Sequence, residues 1–418
     1  MFTFLHAADI HLDSPLRGIE RYEQAPVEQL RGATRRALEN LVDLALRERV
    51  GFVLIAGDLY DDDWDDFRTG LFFAAQMARL DAAGIPTVIV AGNHDAANRM
   101  TRRLPLPKSV ALLLPGQPQT VRIEACRAAI HGQSFGERAT RENLAAGYPP
   151  PVKGWFNVGL LHTSLTGREG HDPYAPCALD DLRAKEYDYW ALGHIHKSEV
   201  VCLDPPVVFP GNLQGRNIRE TGPKGCVLVR VDGRRAALEP CPLDVLRWEV
   251  CTIDASGAET EDDLTERILH GLTEGADAAE GRLRAVRVQI RGATPLCAAL
   301  CAEADRWIGV VRALAFQAGG VWVEKVGLDV SPPERVDGSQ WSDLPLGDLL
   351  EYVAEVKNSP EAQAALAGEV KDFLARLPSD LRTSPGLFGL DPPERFQRTL
   401  DEVAQMLIHQ LAMREAAR

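Results

Sequence analysis

The residues in this chain that could do chemistry are Asp9, His11, Asp58, Asn93, His94, His162, His194 and His196. Five of the ten histidines are among them. Together they offer carboxylate, amide and imidazole donors, the mixture suited to Mn, Fe or Zn. Asn93 is a neutral oxygen donor and His94 a proton donor, so the turn Gly92-Asn93-His94-Asp95 could serve a metal and a phosphate at once. His194-x-His196 would put both rings on one face if the preceding strand continued. Singly, each has an ordinary explanation. Gly, Asn and Asp crowd turns for conformational reasons, and a lone buried histidine is commonly a satisfied core residue. The joint pattern is harder to explain that way, because every one of these residues follows an apolar run.

Those runs are the elements that must position them. Val88-Ile89-Val90-Ala91 leads straight into Gly92-Asn93-His94-Asp95, and short apolar runs bounded by a turn read as buried strands. Thr3 to His6 precedes Asp9 and His11, and Phe52 to Ala56 empties into Gly57-Asp58. Val158 to Leu161 ends at His162, and Tyr189 to Leu192 ends at Gly193-His194-Ile195-His196. Helices are expected over about Val27 to Glu48 and Phe67 to Ala83, giving an alternating order that favours a parallel layered α/β core. Ligands of such sheets bind just beyond the carboxyl ends of the strands. Further strands are expected at Thr120 to Ile123, Ala128 to His131 and Val207 to Phe209, with a hairpin about Asp232-Gly233.

A second module is expected from near Pro242. Its strands are Trp248 to Ile253, Ala285 to Arg291 and Val321 to Val330, and its helices about Glu261 to Thr273 and Pro295 to Phe316. After Ser331-Pro332-Pro333 the sequence reads as helical over Leu346 to Val356, Pro360 to Leu377 and Pro393 to Ala417. Val403, Met406, Leu407, Leu411 and Met413 form an apolar stripe on the last segment, for packing on its own protein or for docking a partner.

Composition narrows the class. A length of 418 residues suffices for two or three domains, and 25% charged with 45% hydrophobic residues is ordinary for a soluble protein. No apolar run approaches the roughly 18 residues of a membrane span. The first five residues enter strand-like sequence with no basic region before them, which argues against a signal peptide. Eight cysteines are scattered without a CxxC pair, and Cys297 and Cys301, one helical turn apart, read as packing residues. The expectation is a reduced, cytoplasmic protein. A formal net charge of −14 argues against general polyanion binding. A nucleic-acid substrate would have to be met by local basic patches and bound cations.

The ordered series Asp9-x-His11, Gly57-Asp58, Gly92-Asn93-His94-Asp95, His162 and Gly193-His194-x-His196 resembles the calcineurin-like metallophosphoesterase superfamily. Within it, Asp188 to Lys197 and Phe209-Pro210-Gly211-Asn212-Leu213-Gln214-Gly215-Arg216 are similar to the SbcD/YhaO group of DNA repair exonucleases. The resemblance covers about residues 1–240. It implies a layered metallophosphoesterase β-sandwich flanked by helices over 1–240, a small α/β capping domain over 241–335 and a helical C-terminal region over 336–418. It further implies that Asp9, His11 and His196 hold one divalent ion, that Asn93, His162 and His194 hold another, and that Asp58 bridges both. By analogy His94 is the catalytic acid, with Asp95 orienting it. Candidate phosphate contacts are Arg102, Arg103, Lys197, Arg216 and Arg219.

The implied activity is Mn2+-dependent hydrolysis of DNA phosphodiester bonds by a homodimer, as an exonuclease with endonuclease action left open. The resemblance also implies an SMC-like coiled-coil ATPase as partner; no GxxxxGK[ST] motif occurs in this chain, so any ATP-driven step must be supplied by another protein. Two alternatives remain: a phosphoesterase for small nucleotides or phosphoproteins, and a DNA-end-binding scaffold. The chain departs from archaeal and eukaryotic relatives in one respect. Three residues after Asp58, where they often carry a second histidine, stands Asp61, followed by Asp62 and Asp63. That acidic run should repel phosphate unless metal or arginine offsets it. His131, His171, His270 and His409 lie outside the motif set.

Overall fold

The computed structural model describes residues 1–14, 26–61, 67–97, 105–166, 174–276 and 279–333, and in the C-terminal region 352, 355–356 and 358–375. They fall into two compact units. One comprises Met1–Cys251, Leu272–Arg287 and Ala318–Lys325; the other comprises Thr252–Gly271, Val288–Gln317 and the described residues from Val326 on.

The first unit carries twelve complete strands. In chain order they are β1 (Phe2–Ala7), β2 (Phe52–Ala56), β3 (Thr87–Val90), β4 (Val110–Leu112), β5 (Gln119–Ile123) and β6 (Ala128–Gly132). The series continues with β7 (Phe156–His162), β8 (Tyr189–Gly193), β9 (Glu199–Leu203), β10 (Pro206–Phe209), β11 (Gly225–Asp232) and β12 (Arg235–Pro242). They form two six-stranded sheets, ordered β12-β11-β1-β2-β3-β4 and β5-β6-β7-β8-β10-β9. In the first, β1 to β4 run parallel and β11 is antiparallel to β1. In the second, β6, β7, β8 and β10 are parallel, with antiparallel edges at β5 and β9. Both sheets are therefore mixed, wider than the parallel core expected.

Period-two alternation makes this a sandwich. From β1 and β2, Phe4, Ala8, Phe52, Leu54 and Ala56 share a buried cluster with Ile130, Val158, Leu160, Tyr189 and Ala191 of the other sheet. The intervening Leu5, Ala7, Val53 and Ile55 point the other way, onto α2 (Ala33–Glu48) and α3 (Phe67–Ala82) through Leu38, Leu41, Val42, Phe73 and Met77. Burying each such side chain contributes about 1.5–3 kcal/mol, so a one-residue slip in β1 or β2 would be severely destabilising. The second sheet's outer face, including Trp190, Leu192 and Phe209, is covered by Tyr148, by Leu182 of α4 (Leu179–Arg183) and by Tyr187. His6 lies wholly buried between the sheets. Its Nε2 donates to the Leu192 carbonyl at 3.1 Å and its Nδ1 accepts from the Tyr189 hydroxyl at 3.0 Å.

The helix expected over Val27 to Glu48 is two, α1 (Val27–Arg31) and α2, jointed at Gly32, where a poor helix former allows the break. A third sheet has the order β13 (Leu246–Asp254), β14 (Leu283–Ala293) and β15 (Val321–Ser331). The second unit takes most of α5 (Glu261–Glu274), with α6 (Cys297–Ala302) and most of α7 (Ala304–Ala318). The single helix expected at Pro295 to Phe316 breaks at Glu303, whose φ of −117° and ψ of 38° are not helical. α8 (Pro360–Ala375) matches the segment expected from Pro360. Most of Leu346 to Val356, all of Pro393 to Ala417 and the apolar stripe on the latter lie outside the described residues. All eight cysteines are free thiols. No helix among the described residues is long and apolar enough to cross a membrane.

Candidate metal centre

Five loops meet beyond the carboxyl ends of β1, β2, β3, β7 and β8. Backbone hydrogen bonds zip the first two together, Asp9 N–H to the Gly57 carbonyl and His11 N–H to the Asp58 carbonyl, both at 3.0 Å. Asp9, His11, Asp58 and His194 all have positive φ, at 49°, 45°, 50° and 102°. A left-handed backbone costs an L-residue roughly 1–2 kcal/mol, and such strain gathers where side chains must be aimed. Close approach of the loops depends on glycine. A Cβ on Gly193 would lie 1.8 Å from the Ala56 oxygen, and one on Gly92 would lie 2.3 Å from Asp58 Oδ1.

The side chains converge in overlapping groups. Donor atoms of Asp9, His11 and His196 lie within 4.8 Å of one another, as do those of Asp58, His162 and His194, and those of His11, Asp58 and His94. The hydrogen bonds around them decide which ring nitrogens face inward. His162 Nδ1 is 2.9 Å from the Ala56 carbonyl oxygen. That oxygen only accepts, so Nδ1 carries the hydrogen. The Nε2 lone pair then faces two further acceptors, Asn93 Oδ1 at 2.9 Å and Asp58 Oδ2 at 3.5 Å. His11 Nδ1 donates to Asp61 at 2.9 Å and His196 Nδ1 donates to Glu220 at 2.8 Å. Their Nε2 atoms are left 3.2 Å apart, facing each other. Acceptors aimed at acceptors suit a cation. Two nitrogens so spaced also fit ligands each about 2.1 Å from one ion. Carboxylates behind the rings fix their orientation, as they do for metal-bound histidines.

Electrostatics agree with that reading. Burial works against any charge on Asp58, but His162 and the other surrounding imidazoles hold its carboxyl well below the usual range. Burial likewise opposes charge on His162, yet Asp58 raises its pKa to about 9. Burial lowers His11 to about 4 and raises Asp9 to about 6. Two dications would favour the carboxylate form of Asp9 and the neutral, ligating form of His11.

The structure brings Asp9, His11, Asp58, Asn93, His94, His162, His194 and His196 together. It treats the neighbouring assignments differently. Asp95 does not orient His94. Its carboxylate braces the turn by accepting the N–H groups of Leu59, Tyr60 and Gly92 at 2.9–3.1 Å. The carboxylate beside the ring is Asp61, 3.1 Å from His94 Nδ1. Asp61, read from the sequence as part of a repulsive run, is in fact built into the centre and also bonds Ser14 and Arg216. Arg216 is committed to Asp61 and Glu220, each at 3.1 Å. Lys197 and Arg219 are exposed, while Arg102, Arg103, Asp62, Asp63 and His171 lie outside the described residues. His131 sits away from the centre, bonded to Thr120 and Asn157. Sequence reasoning missed Glu220 and Lys224, whose Nζ donates to the His196 carbonyl at 2.9 Å. Neither has a spacing signal.

Residues 2–198 match the calcineurin-like phosphoesterase family model, and residues 248–331 match the middle domain of metallophosphoesterase YhaO. Residues 2–198 thus form a calcineurin-like phosphoesterase domain. Among its relatives, the uncharacterised metallophosphoesterase YhaO of Bacillus subtilis is 39% identical over 261 residues, which cover 62% of this chain and 64% of that protein. The DNA double-strand break repair protein Mre11 of Sulfurisphaera tokodaii is 24% identical over 273 residues, covering 62% and 67%. The SbcD subunit of the nuclease SbcCD of Bacillus subtilis is 32% identical over 239 residues, covering 47% and 57%. This metallophosphoesterase thus aligns with about two thirds or less of each relative's length.

Proposed function

We propose that this metallophosphoesterase hydrolyses phosphodiester bonds of DNA at a pair of Mn2+ ions, acting as a repair exonuclease subunit. The observation that carries the reading is that Asp58 groups with His162 and His194 on one side and with His11 and His94 on the other. Asp9, His11 and His196 would hold one ion and Asn93, His162 and His194 the other, with Asp58 reaching both. Bound there, two divalent cations would supply a water nucleophile deprotonated near neutral pH and neutralise charge on the phosphate.

The chain's own groups do the rest. Asp61 and Glu220 keep the Nδ1 atoms of His11 and His196 occupied, so Nε2 is the atom presented. His94 is held by its backbone, whose N–H donates to Asp58 Oδ1 at 3.0 Å, and its side chain is 27% exposed at the rim. In this reading it would hand a proton to the leaving oxygen, a general-acid role. Arg102, Arg103, Lys197 and Arg219 are proposed to meet flanking phosphates. Likeness to a break-repair protein and a nuclease subunit supports DNA as substrate.

The same reading assigns hydrolysis to residues 1–240, selection of DNA form to a cap over 241–335, and docking of an SMC-like coiled-coil ATPase to 336–418. It places the protein as a homodimer in the cytoplasm. The test is incubation of the purified protein with end-labelled duplex and single-stranded DNA in Mn2+, Mg2+ or EDTA. Metal-dependent shortening from the ends is expected. Turnover of bis-p-nitrophenyl phosphate with both DNAs left intact would move the substrate to small nucleotides or phosphoproteins.

A further inference from the structure

Arg216 lies where two loops of the centre meet, and its contacts form a closed circuit. Nη1 donates to Asp61 Oδ2 and Nη2 to Glu220 Oε1, each at 3.1 Å. Asp61 accepts from His11 Nδ1, and Glu220 accepts from His196 Nδ1. The remaining nitrogens of those two rings face each other at 3.2 Å, which completes the ring of five side chains. His11 follows β1 of one sheet and His196 follows β8 of the other, so the guanidinium links donors that belong to different layers.

The arginine is built in rather than displayed. Its side chain is 16% exposed, and its partners Asp61 and Glu220 are 16% and 9% exposed. Its own backbone N–H donates to Glu220 Oε2 at 2.7 Å. The preceding residue is pinned as well, because the Gly215 carbonyl accepts from Trp248 Nε1 and Gln214 Nε2, both at 3.0 Å. An arginine poised for a phosphate would turn its fork to solvent. This one commits both Nη groups to carboxylates. Without it, Asp61 and Glu220 would be left part-buried with no cation between them, and each controls the tilt of an imidazole.

We infer that Arg216 is a positioning residue for the metal centre, not a phosphate contact: it holds Asp61 and Glu220 so that His11 and His196 present one common donor site. The inference rests on the metal-centre reading above. A lysine cannot replace it, because a single ammonium lacks the planar fork that spans two carboxylates.

The test is Mn2+ binding to the full chain, followed by electron paramagnetic resonance of the free ion, for wild type, Arg216→Met, Arg216→Lys and Glu220→Gln. Wild type should bind two equivalents. Arg216→Met should bind one as wild type does and the other about 10–100-fold more weakly, the range seen when groups behind metal-bound histidines are lost. Arg216→Lys should recover only part of that loss. Glu220→Gln, a milder change that decides the matter should Arg216→Met not fold, should weaken the same single ion. Two equivalents bound at wild-type affinity in the variants, with only the KM for DNA raised, overturns the inference and leaves the metal centre standing. Absence of Mn2+ binding by wild type overturns both.

Discussion

His94→Gln separates the acid from the ligands. The backbone N–H that ties residue 94 to Asp58 is untouched by the change, and glutamine still offers a hydrogen to Asp61. The turn should therefore keep its shape and the metals should stay. What disappears is a titratable proton at the rim. A general acid contributes roughly 10²–10⁴-fold, or about 3–5 kcal/mol of barrier, but only if the leaving group needs the proton. A DNA alkoxide does; p-nitrophenolate, stable as an anion near neutral pH, does not. The expectation is a loss of roughly 10²–10⁴-fold in kcat on DNA with less than about tenfold on bis-p-nitrophenyl phosphate, and two Mn2+ equivalents retained. Equal losses on both substrates would refute the acid role. Loss of one Mn2+ would instead make His94 a ligand, in keeping with its grouping with His11 and Asp58.

Asp58→Ala should release both ions and abolish turnover, since one carboxylate serves both donor groups; two equivalents found by metal analysis contradict this. Gly193→Ala places a methyl 1.8 Å from the Ala56 oxygen. It should part the two sheets at the centre, cost about 1–3 kcal/mol or more, and weaken metal binding. An unchanged Tm would show that the loops are not so tightly opposed. Burial lowers the pKa of His6 to about 3. Its neutral form therefore contributes stability that is complete above pH 6.5 and is lost as pH falls toward 3, by about 1.4 kcal/mol per pH unit. In EDTA, His6→Gln should flatten the dependence of urea midpoint on pH across that window, and parallel curves for the two proteins would refute the assignment.

The strands that carry the centre were legible because each is a run of apolar residues stopped by a turn. Phe52–Ala56 and Tyr189–Gly193 end within a residue of where the pattern stops. β4 and β9 were not, being short, half-exposed edge strands without a buried face to impose alternation. The donors could be named from their order along the chain. The groups behind them could not, because Asp61 and Glu220 take their roles from proximity in space to His11 and His196. For the same reason Asp95 was paired with its neighbour in sequence, although its carboxylate points back to the Leu59–Tyr60 backbone. Arg216 looked like a phosphate ligand when counted as a charge; only its two carboxylate neighbours reveal otherwise.

Asp9, His11, Asp58 and Asn93 hang from one leaf of the fold, while His162, His194 and His196 hang from the other. Either leaf alone would own half a socket, and half a socket would grip a hard ion poorly. On the metal-centre reading, cation uptake would wait until both leaves have docked in register. Chelators, on the same logic, should strip activity while leaving each leaf intact.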